Sequence, residues 1–585
     1  MRNLLFVSVA LQAASLCLAQ PVLRSTNPVG NAGSYASGIA QGSIFVVIGS
    51  NLGGAALVQN SSLPIRTSLG NASIRLAPVS GGAAVDAFII YTTQNQLAGL
   101  LPSAAPLGDY NLTVTYNGAT SNAARVSVVA AGFGIVSADS SGAGQAQAQE
   151  YRSATAIDLN RPASGSLGAF SLAPARPGQV MVLWGTGLGA DTLSDSTGGT
   201  SGDKTAAANI RVIVGSQEIV PVYAGRSSGL PGTDQINFTL PANVDLGCFI
   251  PVSVRVGSVV SNVLTIATAN SGATACSHPT LTEAQLIKVS QGGALTLGSL
   301  ALSKQTISIS LGGLGTTDVV SESASGSFAA YGMGNIGGFG STQGASVIGQ
   351  CVVSRRLATQ DQLLASVSPP TLLDAGAQLT LNGPNANNTA VLRAADKSYN
   401  KTLTSPGVPG LPGGLPGLPS GPTAVISAGA YALAGTGGSD VGAFSAKLTM
   451  PSPLTWTNKA TFTDIARSGN VTPTWTGGGN NIVAVFGVSG ANTGTNAANP
   501  VYDTSLFVCL TNAGAGSYTV PASVLSQLPA STGSILDGGG LSFFGLQMAT
   551  DPAQGGFTAP LTGGGSLDAG ILVGSIGELK SVNYK

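Results

Sequence analysis

The chain has 585 residues, only 8% of them charged, and its 24 basic and 24 acidic residues cancel. That length excludes a single core and allows three or four domains of roughly 150 residues, and the charge balance excludes electrostatic capture by nucleic acid or an anionic membrane. With 43% hydrophobic residues and 82 glycines, the composition is that of a folded β protein surfaced by Ser, Thr, Asn and Gly, because disorder goes with high charge and few apolar residues.

In chain order, Arg2, the apolar run Leu4–Leu18 and the small Ala19 form a secretory signal peptide over residues 1–19, cleaved after Ala19. The run is shorter than the ~20 residues that span a bilayer, and no later stretch reads as a transmembrane segment. The expected location is therefore secreted, extracellular or cell-surface. Next comes GSIFVVIGSNLG at Gly42–Gly53, which returns as GQVMVLWGTGLG at Gly178–Gly189. The correspondence continues from Ile74-Arg75 to Ile210-Arg211, from Leu101-Pro102 to Leu240-Pro241, and from Ser121-Asn122 to Ser261-Asn262. The offset drifts by only a few residues, which marks a duplicated domain with small loop insertions. Short strands with turn residues between them, such as YNLTVTY ending at Asn117-Gly118, predict an immunoglobulin-like β-sandwich over 22–130 and a second over 173–276. Between them, 131–172 is rich in Ser, Ala, Gly and Gln (Ser137–Ser171 above all) and reads as a linker or long loop.

The glycine-framed opening strand, the central Leu-Pro and the closing Ser-Asn resemble IPT/TIG-type immunoglobulin-like domains. Their paired arrangement, with NPVGNAGSYASG at Asn27–Gly38 and APARPGQVMVLWGTGLG at Ala173–Gly189, resembles a family of exported acidobacterial proteins to which no activity is assigned. The resemblance covers roughly 27–269 and implies a fold and an exported setting; it transfers no catalytic residue. One departure stands out: Asp234-Gln235-Ile236-Asn237 in the second copy faces Asn95-Gln96-Leu97-Ala98 in the first, so the first copy has lost a contact.

From 277 to 585 the repeat stops and a larger all-β region follows, opened by a short helix to Val289 behind the capping-box pattern Thr280-Leu281-Thr282-Glu283. The expected fold is thus all-β: two tandem immunoglobulin-like (IPT/TIG-type) sandwiches and an all-β C-terminal region. Within that region, PGVPGLPGGLPGLPSGP at 406–422 breaks the collagen period at Gly413-Gly414 and reads as an extended polyproline-type loop. Four cysteines remain after signal removal, and in an exported chain they predict disulfides, here Cys248–Cys276 and Cys351–Cys509. Zinc is disfavoured by the lack of Cys-x-x-Cys and the single histidine, His278.

Several motifs invite chemistry. Gly225-Arg226-Ser227-Ser228-Gly229 has the spacing of a nucleophile elbow, yet Leu230-Pro231-Gly232 forbids the helix that must follow. Gly332-Met333-Gly334-Asn335-Ile336-Gly337 matches a dinucleotide fingerprint but runs into more glycine-rich coil. Asp191, Asp195 and Asp203 lie in a polar loop without a known calcium-binding spacing. No metal or cofactor is expected. Trp184 ends an apolar run and is expected in the core. Trp456 and Trp475 border turns and are the candidate ligand-binding residues, because exposed indoles stack on sugar rings.

The function expected is a secreted or cell-surface, non-enzymatic β-sandwich protein serving adhesion, ligand binding or spacing, with a polysaccharide or surface protein as partner. The alternative is an extracellular hydrolase acting on polysaccharide or peptide. Its acid and base would come from Asp318, Glu322, Asp374, Asp440, Asp464, Asp503 or Asp537, among which no pair stands out in sequence.

Overall fold

The residues that repeat in sequence are the ones that build the turns and clips of two sandwiches. Gly42 and Gly178 take φ of +67° and +84°, a conformation open to glycine without steric cost, and these turns launch the inner strands Ile44–Ser50 and Val180–Thr186. Leu101 and Leu240 donate their amides back across those turns, to Ser43 and Gln179. The closing Ser-Asn does the same work twice. Ser121 Oγ accepts the Val114 amide, and Asn122 clips both polar groups of Leu23. Ser261 Oγ accepts the Val254 amide, and Asn262 clips both polar groups of Ile135.

This computed structural model describes residues 20–153, 155–199, 202–310, 316–338, 348–349, 351–359, 370–404, 425–492, 501–531 and 542–585. The signal segment 1–19 and the Pro/Gly loop 406–422 lie outside the described residues. The chain divides into two compact units: Met1–Ala131 with Gly189–Thr200 and Ser227–Gly232, and Gly132–Leu188 with Ser201–Arg226 and Thr233–Lys585. Two loops of the second repeat thus belong to the first unit, which the sequence boundaries did not anticipate.

In the first unit, one sheet is centred on Ile44–Ser50 and Gln96–Leu100, the other on Ala72–Pro78, Gly108–Tyr116 and Ala124–Val129. Strand Val85–Thr92 pairs with both: its start lies against Ala72–Pro78 and its end against Gln96–Leu100. Burial alternates along Ala72–Pro78 and Gly108–Tyr116, as a strand with one wet face requires, and Phe45, Ile74, Leu97 and Leu112 meet in the core.

The second sandwich begins the second unit. Residues read as a linker carry five strands instead: Gly134–Ile135, Ala148–Tyr151, Ile157–Asn160, Gly165–Leu167 and Phe170–Ala173. They extend the sheet that already holds Val180–Thr186, Asp234–Thr239 and Tyr223–Arg226. The opposing sheet is built on Ile210–Val214, Gly247–Val256 and Leu264–Thr268. Composition misled here because this segment turns polar groups inward. Glu150, Asp158 and Asn160 are 2% exposed or less, and Asn160 bonds both the amide and the carbonyl of Ala267 in the opposite sheet, each at 2.8 Å.

Helix Glu283–Ser290 follows, capped by Thr282 with Gln285 closing the box, two residues later than the sequence pattern placed it. The C-terminal region then packs two sheets. The larger runs in the order Cys351–Thr359, Val501–Asn512, Ile482–Asn492, Ser542–Ala549, Ala569–Ser581, Leu295–Ser310, Thr316–Tyr331, Thr371–Leu373. All neighbours in it are antiparallel except Leu295–Ser310 and Ala569–Ser581, which run parallel. Against it lies a four-stranded sheet, Ala386–Leu392, Gln378–Gly383, Gly429–Gly435 and Phe444–Met450, and the core between them holds Leu300, Phe328, Leu379, Leu433, Phe507 and Phe544. Cys248 is bonded to Cys276, and Cys351 to Cys509, its direct cross-strand partner. No helix among the described residues is long and apolar enough to cross a membrane.

Candidate functional site

Residues paired directly across a sheet share a face, as do residues two apart on one strand. Following that rule from Val182 across the second sandwich's larger sheet leads to Asn237 and Tyr223 on one side and to Gln149 and Leu159 on the other. One step along, Trp184 lies opposite Gln235; one step back, Val180 lies opposite Thr239 and Tyr151. The other face of the same strands, with Met181, Leu183, Ile236 and Phe238, is fully buried. The first face is wet around a buried centre: Val182 and Leu159 are buried, Tyr151, Trp184, Tyr223, Gln149, Gln235 and Asn237 are half-buried, and Val180, Ile157 and Phe170 are exposed. With strands about 4.8 Å apart and about 3.4 Å per residue, the three polar aromatics stand roughly 10–15 Å from one another.

The amides on this face are held in place. Trp184 Nε1 donates to Gln149 Oε1 at 3.2 Å, Gln235 Nε2 donates to Asn237 Oδ1 at 2.8 Å, and Tyr223 Oη donates to the Arg226 carbonyl. Beneath it, Asp234 Oδ2 accepts the amides of Gly187 and Leu188, and its carboxylate pairs with Arg226 in full burial. Burial pushes the Asp234 carboxyl up, against the opposing pull of Arg226. In the first sandwich the matching positions are Ile48, Gln96 and Ala98, with Asn95 in place of Asp234. Tyr91, opposite Ala98 as Tyr223 is opposite Asn237, and Gln96 keep part of this face in the first copy, whereas Trp184 and Asn237 have no aromatic or amide counterpart there.

The tryptophans exchange their expected roles. Trp184, expected in the core, stands on the wet face. Trp456 and Trp475, expected at a ligand surface, are 4% and 3% exposed and sit in the C-terminal core. They pair across the two-stranded sheet Thr455–Trp456 and Trp475–Thr476. Their indole N–H groups are taken by Asn458 Oδ1 and the Ala513 carbonyl, and Trp456 is edge-on to Phe462. Neither has a ring face left for a sugar, so the ligand-binding assignment of both is corrected. The signal that would have found Trp184 lies on its partner strand, where Asp234–Thr239 alternates polar and apolar residues and marks one side of the sheet as wet.

The remaining motifs are structural. His278 Nδ1 accepts the amides of Thr280 and Leu281 at 3.2 and 3.1 Å, and burial pulls its pKa down to about 4. Gly332–Gly337 ends in a single 3₁₀ turn, Ile336–Gly338. Gly334 is required there because a Cβ would run into the Asp139 carboxylate. Asp195 accepts two bonds from Ser103, Asp203 accepts from Thr205 and Ala224, and Asp191 accepts from Leu193. Among the described residues no group of three or more His, Cys, Asp or Glu could hold a metal. The C-terminal carboxylates are engaged as well. Glu322 is paired with Lys304 at 3.1 Å, Asp374 with Arg393, Asp440 with Lys397 at 3.0 Å and Asp464 with Lys585, and Asp318 accepts from Ser308. The Asp503 side chain and Asp537 lie outside the described residues. Asp374 and Asp440 are neighbours, the Asp374 amide donating to Asp440 Oδ2, but both carboxyls are lowered, Asp374 to about 2. For Asp374 the main cause is Arg393; for Asp440 it is the Asp374 amide, then Lys397. Glycoside hydrolysis needs one raised carboxyl and one ionised, and this pair offers two ionised ones.

No protein-family model matches the chain, and no curated protein matches it. Among solved structures, SGBP-B of the Bacteroides ovatus mixed-linkage glucan utilization locus, in complex with a mixed-linkage heptasaccharide, is similar over 40% of this chain and 44% of its own, at 13% identity and a TM-score of 0.18. Domains 5–6 of the S-layer protein SbsC are similar over 43% of this chain and 99% of theirs, at 14% identity and a TM-score of 0.17. SGBP-B from a complex xyloglucan utilization locus in Bacteroides uniformis is similar over 86% and 98%, at 9% identity and a TM-score of 0.15. The chain thus spans less than half the length of the first of these. Likeness of this size leaves the ligand unassigned. The chain itself is an all-β protein of immunoglobulin-like sandwiches joined to a two-sheet C-terminal region.

Proposed function

We propose that this is an exported, disulfide-braced β-sandwich protein that binds a polysaccharide without cleaving it, with the wet face of the second sandwich as its contact surface. The observation that carries the proposal is that face: aromatic rings and fixed amides on one sheet, where the second sandwich adds Trp184 and Asn237 at positions that hold Ile48 and Ala98 in the first. Rings supply apolar stacking area, and amides offer donors and acceptors to hydroxyls without the desolvation cost of a charge. The two disulfides fit an oxidising compartment, in keeping with a signal cleaved after Ala19 and with the paired IPT/TIG-type reading of 27–269.

The test is retention of the purified chain on a panel of bacterial, plant and fungal polysaccharides, with reducing sugar measured in the same wells. Retention that Trp184→Ala weakens at least tenfold, without released sugar, supports the proposal. Retention indifferent to Trp184→Ala removes the contact surface assigned here, and released sugar replaces binding with hydrolysis.

A further inference from the structure

Within the second unit, the second sandwich and the C-terminal region together line an open cleft of about 430 Å³. One wall is the hairpin turn between Ile210–Val214 and Gln217–Ile219, with Asp245 behind it; the other carries Cys351 and Tyr518. Asp245 is 4% exposed. Its Oδ2 accepts the Ser216 amide at 3.1 Å and the Ser216 hydroxyl at 3.4 Å. That bond explains Gly215, at φ +54°, where any Cβ would run into the carboxylate. Capping the turn accounts for one oxygen only. Among the described residues, Asp245 Oδ1 accepts no hydrogen bond, and no lysine or arginine pairs with the group.

The nearby cations are committed elsewhere. Glu218, on the same wall, takes Arg255 at 2.6 Å and Arg211 at 3.5 Å. Tyr518 donates to the Gly349 carbonyl at 3.2 Å, and its hydroxyl pKa is raised by burial and then by the charge of Asp245. Burial pushes the Asp245 carboxyl up as well. The carboxylate is mostly buried but no cation among the described residues meets it, so a cation entering the cleft would gain from its charge, and Ser216, Gln217, Ser523, Ser526 and Gln527 add hydroxyls and amides to the lining.

We propose that this cleft binds a primary ammonium group carried on a hydroxylated frame, an amino sugar, with Asp245 Oδ1 accepting from the ammonium and the Ser and Gln side chains meeting the hydroxyls. The site is separate from the wet face of the second sandwich. The test is calorimetric titration of the full chain with D-glucosamine and with D-glucose. Glucosamine should bind at least tenfold more tightly than glucose. Asp245→Asn, whose side-chain carbonyl can still accept from Ser216, should erase that preference, and Trp184→Ala should leave it intact. Equal binding of the two sugars, no binding of glucosamine at millimolar concentration, or an undiminished preference in Asp245→Asn would each overturn the proposal. Should Asp245→Asn not fold, Ser523→Trp fills the cleft from helix Ala522–Leu525, and undiminished glucosamine binding there has the same force.

Discussion

Glu150→Gln should stabilise the second sandwich at alkaline pH and leave it unchanged in acid. Glu150 is fully buried; Oε2 faces Asn160 Nδ2 at 3.5 Å and Oε1 has no hydrogen-bond partner. Burial, little relieved by Asn160, pushes its carboxyl from the ordinary 4.5 to about 8. Below pH 4.5 both the folded and the unfolded chain hold the proton, and the group costs nothing. Between pH 4.5 and 8 only the folded chain holds it, so stability falls as pH rises, by about 1.36 kcal/mol per pH unit. Above pH 8 the loss is complete, with a ceiling of about 5 kcal/mol. Interior relaxation lowers such ceilings, so roughly 2–3 kcal/mol is the expected gain for Gln, which keeps the shape without the charge. Thermal unfolding from pH 4 to 9.5, disulfides intact, reads it directly. The melting points of variant and wild type should coincide at pH 4 and separate through pH 5–8. At pH 9 they should differ by roughly 4–12 °C if the second sandwich melts by itself. A difference that is flat with pH, or a variant less stable at pH 9, refutes the reasoning.

Trp184→Ala should cost polysaccharide retention about 1.4–2 kcal/mol, roughly ten- to thirtyfold, with an unchanged melting point, read by affinity electrophoresis. Replacing Cys351 and Cys509 by Ser should destabilise more than replacing Cys248 and Cys276: the sequence separations are 158 and 28 residues, and chain entropy then predicts about 5 against about 3.5 kcal/mol, separable in urea titrations. Gly334→Ala should cost about 1–3 kcal/mol through the collision with Asp139, and a neutral result in the same titration would deny the close approach. Asn122→Ala and Asn262→Ala should each cost about 1–3 kcal/mol, as two strand-end backbone groups lose their partner; unequal effects would mean that the two clips are not equivalent.

The duplicated architecture was legible because its signals are local. A glycine at positive φ, a Leu-Pro step and a Ser-Asn clip each act within a few residues of themselves, so their recurrence reports the fold directly. What escaped the sequence depends on partners far along the chain. The run Val180–Trp184 is apolar throughout, and only its pairing with Gln235 and Asn237 shows that one side is wet. Trp456 and Trp475 look exposed among threonines, yet each becomes the other's cross-strand neighbour and turns inward. Ser137–Ser171 looked like a linker because Glu150, Asp158 and Asn160 use the core face, which inverts the hydrophobic pattern on which strand recognition rests.

The parallel pairing at the heart of the C-terminal sheet has a kinetic consequence. Strand Leu295–Ser310 pairs at once with Thr316–Tyr331, but the partner for its other edge is Ala569–Ser581, about 270 residues further on. At a synthesis rate of roughly 5–20 residues per second, it waits about 15–55 s with one edge unpaired. The second sandwich, whose last strand ends at Thr268 and whose disulfide closes at Cys276, can fold in that interval; the C-terminal sheet cannot. A chain interrupted before residue 569 would retain its folded sandwiches and display a long, uncharged edge from Leu295 to Ser303, open to any other strand. Edges of that kind nucleate aggregation, so the region that completes the molecule last is also the one that most needs shielding until it does.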